Sequence, residues 1–250
     1  MSFAPDITEQ LARARADLRM GVPVILADAA QAALVLAAET LTAQRLADVL
    51  ALGGAPVLAI TARRAETLKA RAYDGNLARV LLPEGATPAW VQSIADPADD
   101  LRAPMKGPLQ TARGGDTAAH RAAIDLVKAA RMLPAALVLD LPQGADFART
   151  HGLTLIDLTA AAPILAERSA LHPVVNARLP MEVSEAGRLH IFRPEDGGEE
   201  HYAIEIGRPA RDTPVLCRLH SACFTGDLMG SLKCDCGPQL KAALKRIAEE

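Results

Sequence analysis

The sequence predicts an α/β fold (α+β overall) in two parts, an alternating helix-and-strand region over residues 1–170 and a β-rich region over 171–250. Three observations predict it. Short apolar runs alternate with stretches of helical periodicity up to about residue 166, the pattern of an α/β domain. Half of the residues are hydrophobic and 23% are charged, which suits a packed core and is the reverse of a disordered composition. After about residue 172 the alternation takes a β-type period, broken by the turn-rich stretch 194–198, so the second part is expected to be β-rich.

Each element follows in order. Residues 7–20 place Ile7, Leu11, Ala14 and Leu18 at helical spacing behind Asp6, a suitable N-cap. Pro23 precedes a short apolar run, 24–27, expected to be a buried strand. An alanine-rich helix is expected over 29–39 and another over 41–52. The run 55–60 predicts a strand, closed by Thr61 as N-cap of a helix over 62–72. A short strand at 80–82 and a short helix at 87–94 come next. The segment 95–117 holds prolines, an Asp-rich stretch and the pair Gly114-Gly115, so a long loop is expected. Helices at 118–131, 144–150 and 157–166 then alternate with strands at 135–139 and 152–156. In the second part, β-type alternation covers 188–192 and 201–206, and 214–220 is expected to be one more strand.

Composition narrows the function classes. Fifty of the 250 residues are alanine and only 3% are aromatic, so a base-stacking surface for single-stranded nucleic acid is not expected. The formal charge of −3 provides no global basic field for a nucleic-acid backbone. No run approaches the eighteen or so apolar residues of a membrane span. The N-terminus has neither a basic flank nor an apolar signal core. A cytoplasmic protein with no membrane partner is therefore expected.

All four cysteines, Cys217, Cys223, Cys234 and Cys236, fall at the end of this chain within twenty consecutive positions. Cys234-x-Cys236 supplies two thiols from one short loop, and Cys223 supplies a third, with Gly226 and Gly230 letting the chain between turn back. Three soft sulfur ligands suit zinc, and three rather than four leave a position for water, whose pKa the metal would lower towards about 7. Buried small thiols or a disulfide are the bland alternatives. Cys217 decides between an open and a closed site. It sits in the apolar run of Val215, Leu216 and Leu219, so it is expected in the core of the 214–220 strand and not on the metal. Pro238 suits the first position of a following helix. Leu240, Ala243, Leu244 and Ile247 would form its buried stripe, with Lys241, Lys245 and Glu249 towards water and Gln239 on the first turn.

This region resembles GTP cyclohydrolase II, whose hallmark reads Arg-x-His-Ser-Glu-Cys-x-Thr-Gly-Asp-x-x-x-Ser-x-Arg-Cys-Asp-Cys-Gly-x-Gln-Leu. Arg218, His220, Ser221, Cys223, Thr225, Gly226, Asp227, Ser231, Cys234, Asp235, Cys236, Gly237, Gln239 and Leu240 match it. Ala222 stands for the family's glutamate and Lys233 for its arginine. The resemblance covers about 174–250. It implies a zinc-dependent hydrolase of riboflavin biosynthesis, with zinc on Cys223, Cys234 and Cys236, that opens the guanine ring of GTP and releases formate and pyrophosphate. Arg218, Leu219, His220, Ser221 and Ala222 would then contact the nucleotide phosphates, Gln239 would contact GTP near the reacting end, and Mg2+ would accompany the phosphates. A homodimer is the expected assembly. The family's later segment carries a triphosphate loop, an acid/base aspartate and a nucleophilic arginine. The expectation is that these lie past Glu250, that this chain is a portion of a longer enzyme, and that alone it is inactive.

Residues 7–168 resemble, more weakly, 3,4-dihydroxy-2-butanone 4-phosphate synthase, in the stretches 14–27, 120–126 and 147–153. That family needs an acidic magnesium loop and a His-Thr-Glu. Here the loop is reduced to Asp28 followed by Ala-Ala-Gln-Ala-Ala, and the His-Thr-Glu positions fall on Ala119, His120 and Arg121. Alanines offer no oxygen to a hard cation, so a degenerate, catalytically silent domain over 1–170 is expected, with an incomplete cyclohydrolase II domain over 171–250. The alternatives are a bifunctional enzyme that still converts ribulose 5-phosphate, and a non-catalytic zinc-binding interaction module.

Overall fold

Asp6 caps the first helix, α1 (Ile7–Arg19), through a reciprocal pair of bonds. Its carboxylate accepts from the Glu9 N–H at 2.8 Å, and the Glu9 carboxylate accepts from the Asp6 N–H at 2.9 Å. Such a box satisfies two of the donors that a helix start leaves open. The computed structural model describes residues 3–102, 104, 106–167 and 170–250, divided into two compact units over 1–168 and 169–250. Met1, Ser2, Arg168 and Ser169, at the ends of the expected first domain, lie outside the described residues, as do Ala103 and Met105 of the expected long loop.

The first unit continues through β1 (Val24–Ala27), β2 (Ala32–Ala37), α2 (Ala43–Ala51), β3 (Val57–Thr61), α3 (Ala62–Thr67), β4 (Leu77–Leu81) and α4 (Pro88–Ala95). After a single helical turn at Pro97–Asp99 it resumes with α5 (Ala118–Ala129), β5 (Ala135–Asp140), α6 (Gly144–His151), β6 (Leu155–Asp157) and α7 (Leu158–Ala166). Threonine hydroxyls cap α2, α3 and α4, each accepting the backbone N–H three residues on. The strands form one sheet in the order β4-β3-β5-β2-β1-β6. Its pairs are antiparallel except β1 with β6.

Both faces of this sheet are covered. Val24 and Leu26 pack with Leu11, Leu18, Leu126 and Ala161 on the side of α1, α5 and α7. Ile25, Leu58 and Leu137 pack with Leu46, Ala65, Val91 and Ala148 on the side of α2, α3, α4 and α6. Two-sided burial corrects one expectation: residues 29–39 form no helix, and 32–37 are strand β2. The run AALVLA is buried on both faces, which removes the polar alternation that would mark it as a strand. The expected helix over 62–72 also stops early, at Thr67, because Lys69 takes a left-handed conformation with φ 56°.

The stretch 95–117 is less loose than its composition suggests. Arg64 donates to the carbonyls of Ser93, Ile94 and Asp96 at 3.2, 2.6 and 3.1 Å and to both oxygens of Asp100 at 2.6 and 2.7 Å. Lys106 bonds Asp100 as well. The Arg64 guanidinium first, then the Lys106 ammonium, hold the Asp100 carboxyl far below the ordinary carboxylate range. Further on, Leu81 N–H donates to Gln110 O and Ala112 N–H to Arg79 O, at 2.9 and 2.8 Å, which covers the edge strand β4.

The second unit is an antiparallel meander of β7 (Leu171–Arg178), β8 (Gly187–Pro194) and β9 (His201–Ile206), followed by the short helix α8 (Phe224–Asp227) and α9 (Cys236–Glu249). Residues 214–220 are not the expected strand; they pair with none of the three, and Cys217 is exposed where a core position was expected. An alternating pattern forms a strand only where a neighbour completes its ladder. Helix α9 starts at Cys236, so Pro238 is the third helical residue and not the first. The change costs little, because the first four N–H groups of a helix have no intrahelical acceptor. Leu240, Ala243, Leu244 and Ile247 share one half-buried side of α9, while Lys241, Lys245 and Glu249 are exposed. Among the described residues, no helix of either unit is long and apolar enough to cross a membrane.

Candidate metal centre

Three cysteines converge because two helix starts meet. Cys223 is the N-cap of α8, and Cys236 is the first residue of α9. Cys234 lies just ahead of α9. The thiols of Cys223, Cys234 and Cys236 all lie within 4.8 Å of one another, and they are the one such group among the described residues. Cys223 and Cys234 are 3.8 Å apart. A tetrahedral ion with metal–sulfur bonds of about 2.3 Å needs its sulfurs roughly 3.8 Å apart. The donor set therefore fits a soft divalent ion in chemistry and in spacing. Cys217 takes no part in the group.

Glycine makes the approach feasible. A Cβ on Gly226 would lie 2.7 Å from the Cys234 sulfur, 2.8 Å from Cys236 Cβ and 3.3 Å from the Cys223 sulfur. A Cβ on Gly237 would lie 2.4 Å from the Gly226 carbonyl oxygen. Real Cβ atoms do not approach backbone so closely, so α8 and α9 meet backbone to backbone at these two residues. Gly226→Ala is expected to push the thiols apart and weaken divalent-metal binding roughly 10- to 100-fold, the range for losing a residue that supports a metal site. Competition against a chromophoric chelator measures this; an unchanged affinity would show that the contact does not hold the thiols.

The thiols are not equivalent. The Thr225 hydroxyl, 3.6 Å from the Cys223 sulfur, acts first, then the Gly226 N–H and the other two thiols; together they bring Cys223 down to about 7. Cys234 and then Cys223 push Cys236 up to about 12. Cys223 is thus shifted towards the thiolate, the form that ligates a metal, and Cys236 away from it.

Around the thiols, the residues expected at a substrate divide into two kinds. Arg218 donates to Gln239 Oε1 at 2.8 Å, and Gln239 Nε2 donates to Asp235 Oδ2 at 2.6 Å. His220 Nε2 lies 2.7 Å from Asp227 Oδ2. Leu219, Ser221 and Ala222 are exposed, and Ala222 has a left-handed φ of 50° immediately before Cys223. Sequence reasoning assigned no role to Asp227, Asp235 or Thr225. The i, i+4 spacing of Asp235 and Gln239 on a helix was a usable signal for one pair. Nothing local announces the pairing of His220 with Asp227.

Residues 172–250 match the sequence profile of the family described as GTP cyclohydrolase II. The chain is 39% identical over 201 residues to GTP cyclohydrolase-2 of Azospirillum brasilense, covering 78% of this chain and 52% of that protein. It is 37% identical over 249 residues to GTP cyclohydrolase-2 of Xylella fastidiosa (strain Temecula1), covering 98% of this chain and 60% of that protein. A riboflavin biosynthesis protein of Aquifex aeolicus, RibBA, is 34% identical over 170 residues, covering 62% of this chain and 42% of that protein. The chain thus spans between 42% and 60% of the length of these curated relatives. Among solved structures, a two-domain 3,4-dihydroxy-2-butanone 4-phosphate synthase from A. baumannii aligns with a TM-score of 0.46 at 18% identity, over 94% of this chain and 80% of that one.

Proposed function

Because residues 172–250 carry the sequence profile of GTP cyclohydrolase II, we propose that this chain serves zinc-dependent hydrolysis of GTP, opening the guanine ring with release of formate and pyrophosphate. The observation that carries the reading is the cluster of Cys223, Cys234 and Cys236, three thiols within 4.8 Å of one another. These residues would hold zinc, which when bound supplies an electrophilic centre able to activate water at neutral pH.

The chain's own side chains supply binding and orientation. Arg218 presents a forked guanidinium, suited to phosphate oxygens. Gln239 fixes one end of that fork, and Asp235 fixes Gln239. The triphosphate would bring Mg2+ with it as a counter-ion. Metal analysis of the purified chain tests the first step: one zinc per chain is expected, and a chain without zinc would sink the reading. Since the relatives are longer, formate release from GTP is to be assayed on the chain extended to their length. Zinc retained without formate release would sink the catalytic part alone.

The same reading leaves the first unit catalytically silent. Asp28, the one carboxylate left in the reduced acidic loop, is consumed by its own turn. Its Oδ1 accepts from the N–H groups of Ala30 and Gln31 at 2.8 and 2.9 Å, which lowers its pKa. Arg121, at a position where the synthase-type site would need a carboxylate, instead donates to Asn76 and to the Asp74 carbonyl. Conversion of ribulose 5-phosphate in the presence of magnesium would overturn this part of the proposal.

A further inference from the structure

Next to the thiols, one pair of side chains is bonded in a way that metal binding does not require. His220 Nε2 and Asp227 Oδ2 are 2.7 Å apart, and the side chains are 20% and 18% exposed. Asp227 ends α8, directly after the glycine around which the three sulfurs gather. Its backbone N–H donates to the Cys223 carbonyl at 2.7 Å, so its place relative to the thiols is set by the helical turn and not by the histidine. Its second carboxylate oxygen, Oδ1, is buried and has no hydrogen-bond partner among the described residues. Buried polar atoms are ordinarily paired, and of this carboxylate's two oxygens Oδ2 is the one with a partner among the described residues, the His220 ring.

An ionised carboxylate can only accept a hydrogen bond. Against a carboxylate acceptor, the 2.7 Å contact favours the form of His220 that carries its proton on Nε2. In the neutral ring the other nitrogen, Nδ1, is then an acceptor and not a donor. Phosphate oxygens also only accept, so an Nδ1 lone pair gains nothing from them. Guanine and ribose both offer N–H or O–H donors. Two residues earlier, Arg218 supplies the charge that a phosphate needs.

We propose that Asp227 is a positioning residue that holds His220 in its Nε2–H tautomer, so that Nδ1 accepts a hydrogen bond from an N–H or O–H group of the nucleoside part of the substrate and not from its phosphates. This rests on the nucleotide reading above and revises the contact expected for His220. Arg218 and His220 then divide the ligand between them, the first taking phosphate and the second taking the nucleoside.

The test uses the whole chain labelled with 15N-histidine, with His220 signals assigned by their loss in His220→Gln. Long-range proton–nitrogen spectra at about pH 8.5, above the ordinary imidazole range, read the tautomer directly. The wild type is expected to show Nε2–H. Asp227→Asn, whose amide can donate to Nε2, is expected to lower the ratio of Nε2–H to Nδ1–H at least about tenfold, and Asp227→Glu to retain the wild-type form. If Asp227→Asn has lost its metal and its loop structure, the wild-type spectrum and Asp227→Glu carry the tautomer test. An Nδ1–H wild type, or an unchanged ratio in a folded Asp227→Asn, would overturn the proposal. Guanosine is expected to move the Nδ1 resonance and inorganic tripolyphosphate to leave it in place. Movement by tripolyphosphate alone, or by neither, would also overturn it. Zinc content measured on the same samples separates the two readings, since a chain that lacks zinc yet shows the Nε2–H form would sink the metal proposal and leave this tautomer intact.

Discussion

Cys234→Ser is expected to take the chain from one zinc to almost none. The three thiols lie within 4.8 Å of one another, and removing one leaves two protein donors where an open zinc site normally has three. Serine places a harder, far less acidic oxygen where a thiolate would sit, and soft thiolate ligands are what select zinc here. Loss of an outer supporting residue already weakens such sites by roughly 10- to 100-fold, so loss of a direct ligand is expected to exceed about 100-fold. Competition with a chromophoric chelator and metal analysis of the dialysed protein measure this. Cys217→Ser is the internal control, because Cys217 is exposed and outside the cluster; it is expected to keep the full zinc content. Equal zinc in the two variants would contradict the assignment of the ligands.

The largest stability effect is expected at Leu137. This side chain is fully buried, in β5 between Leu58 of β3 and Leu36 of β2. It belongs to the second of the two core clusters, on the side of α2, α3, α4 and α6. Leu137→Ala removes the transfer energy of the lost methyl groups and leaves a cavity, for a total of about 2–5 kcal/mol. The upper part of that range is expected, because strands paired on both sides restrict collapse into the space. For a unit of this size each kcal/mol moves the midpoint by about 2–4 °C, so the thermal transition of the first unit should fall by roughly 10 °C. Circular dichroism against temperature checks it; a shift below about 2 °C would mean that the site repacks freely.

Caps and alternation were legible because they are local. Asp6 and Thr61 could be placed as helix caps from sequence, since a capping oxygen reaches only two or three residues along the chain. Strand β2 was not legible. AALVLA has the composition of a helix, and only its pairing with Ile25, Leu26 and their neighbours on one side and with β5 on the other makes it a strand. The apolar alternation of 214–220 misleads in the opposite sense, since no strand of the second unit's sheet pairs with it.

The candidate site divides along the same line. The sequence by itself determined the ligand chemistry, with three thiols at a spacing that can close on one ion, and glycines between and after them. It also determined the family resemblance of residues 172–250, which rests on residue identity in order. Tertiary structure alone decided that Cys217 stays in solvent, that Gly226 and Gly237 meet with no room for a side chain, and that Asp227 holds His220. The reason is physical. Which donor types lie close along the chain is written in the chain, whereas which side chain faces which is settled only when separate segments pack and most buried polar groups find partners.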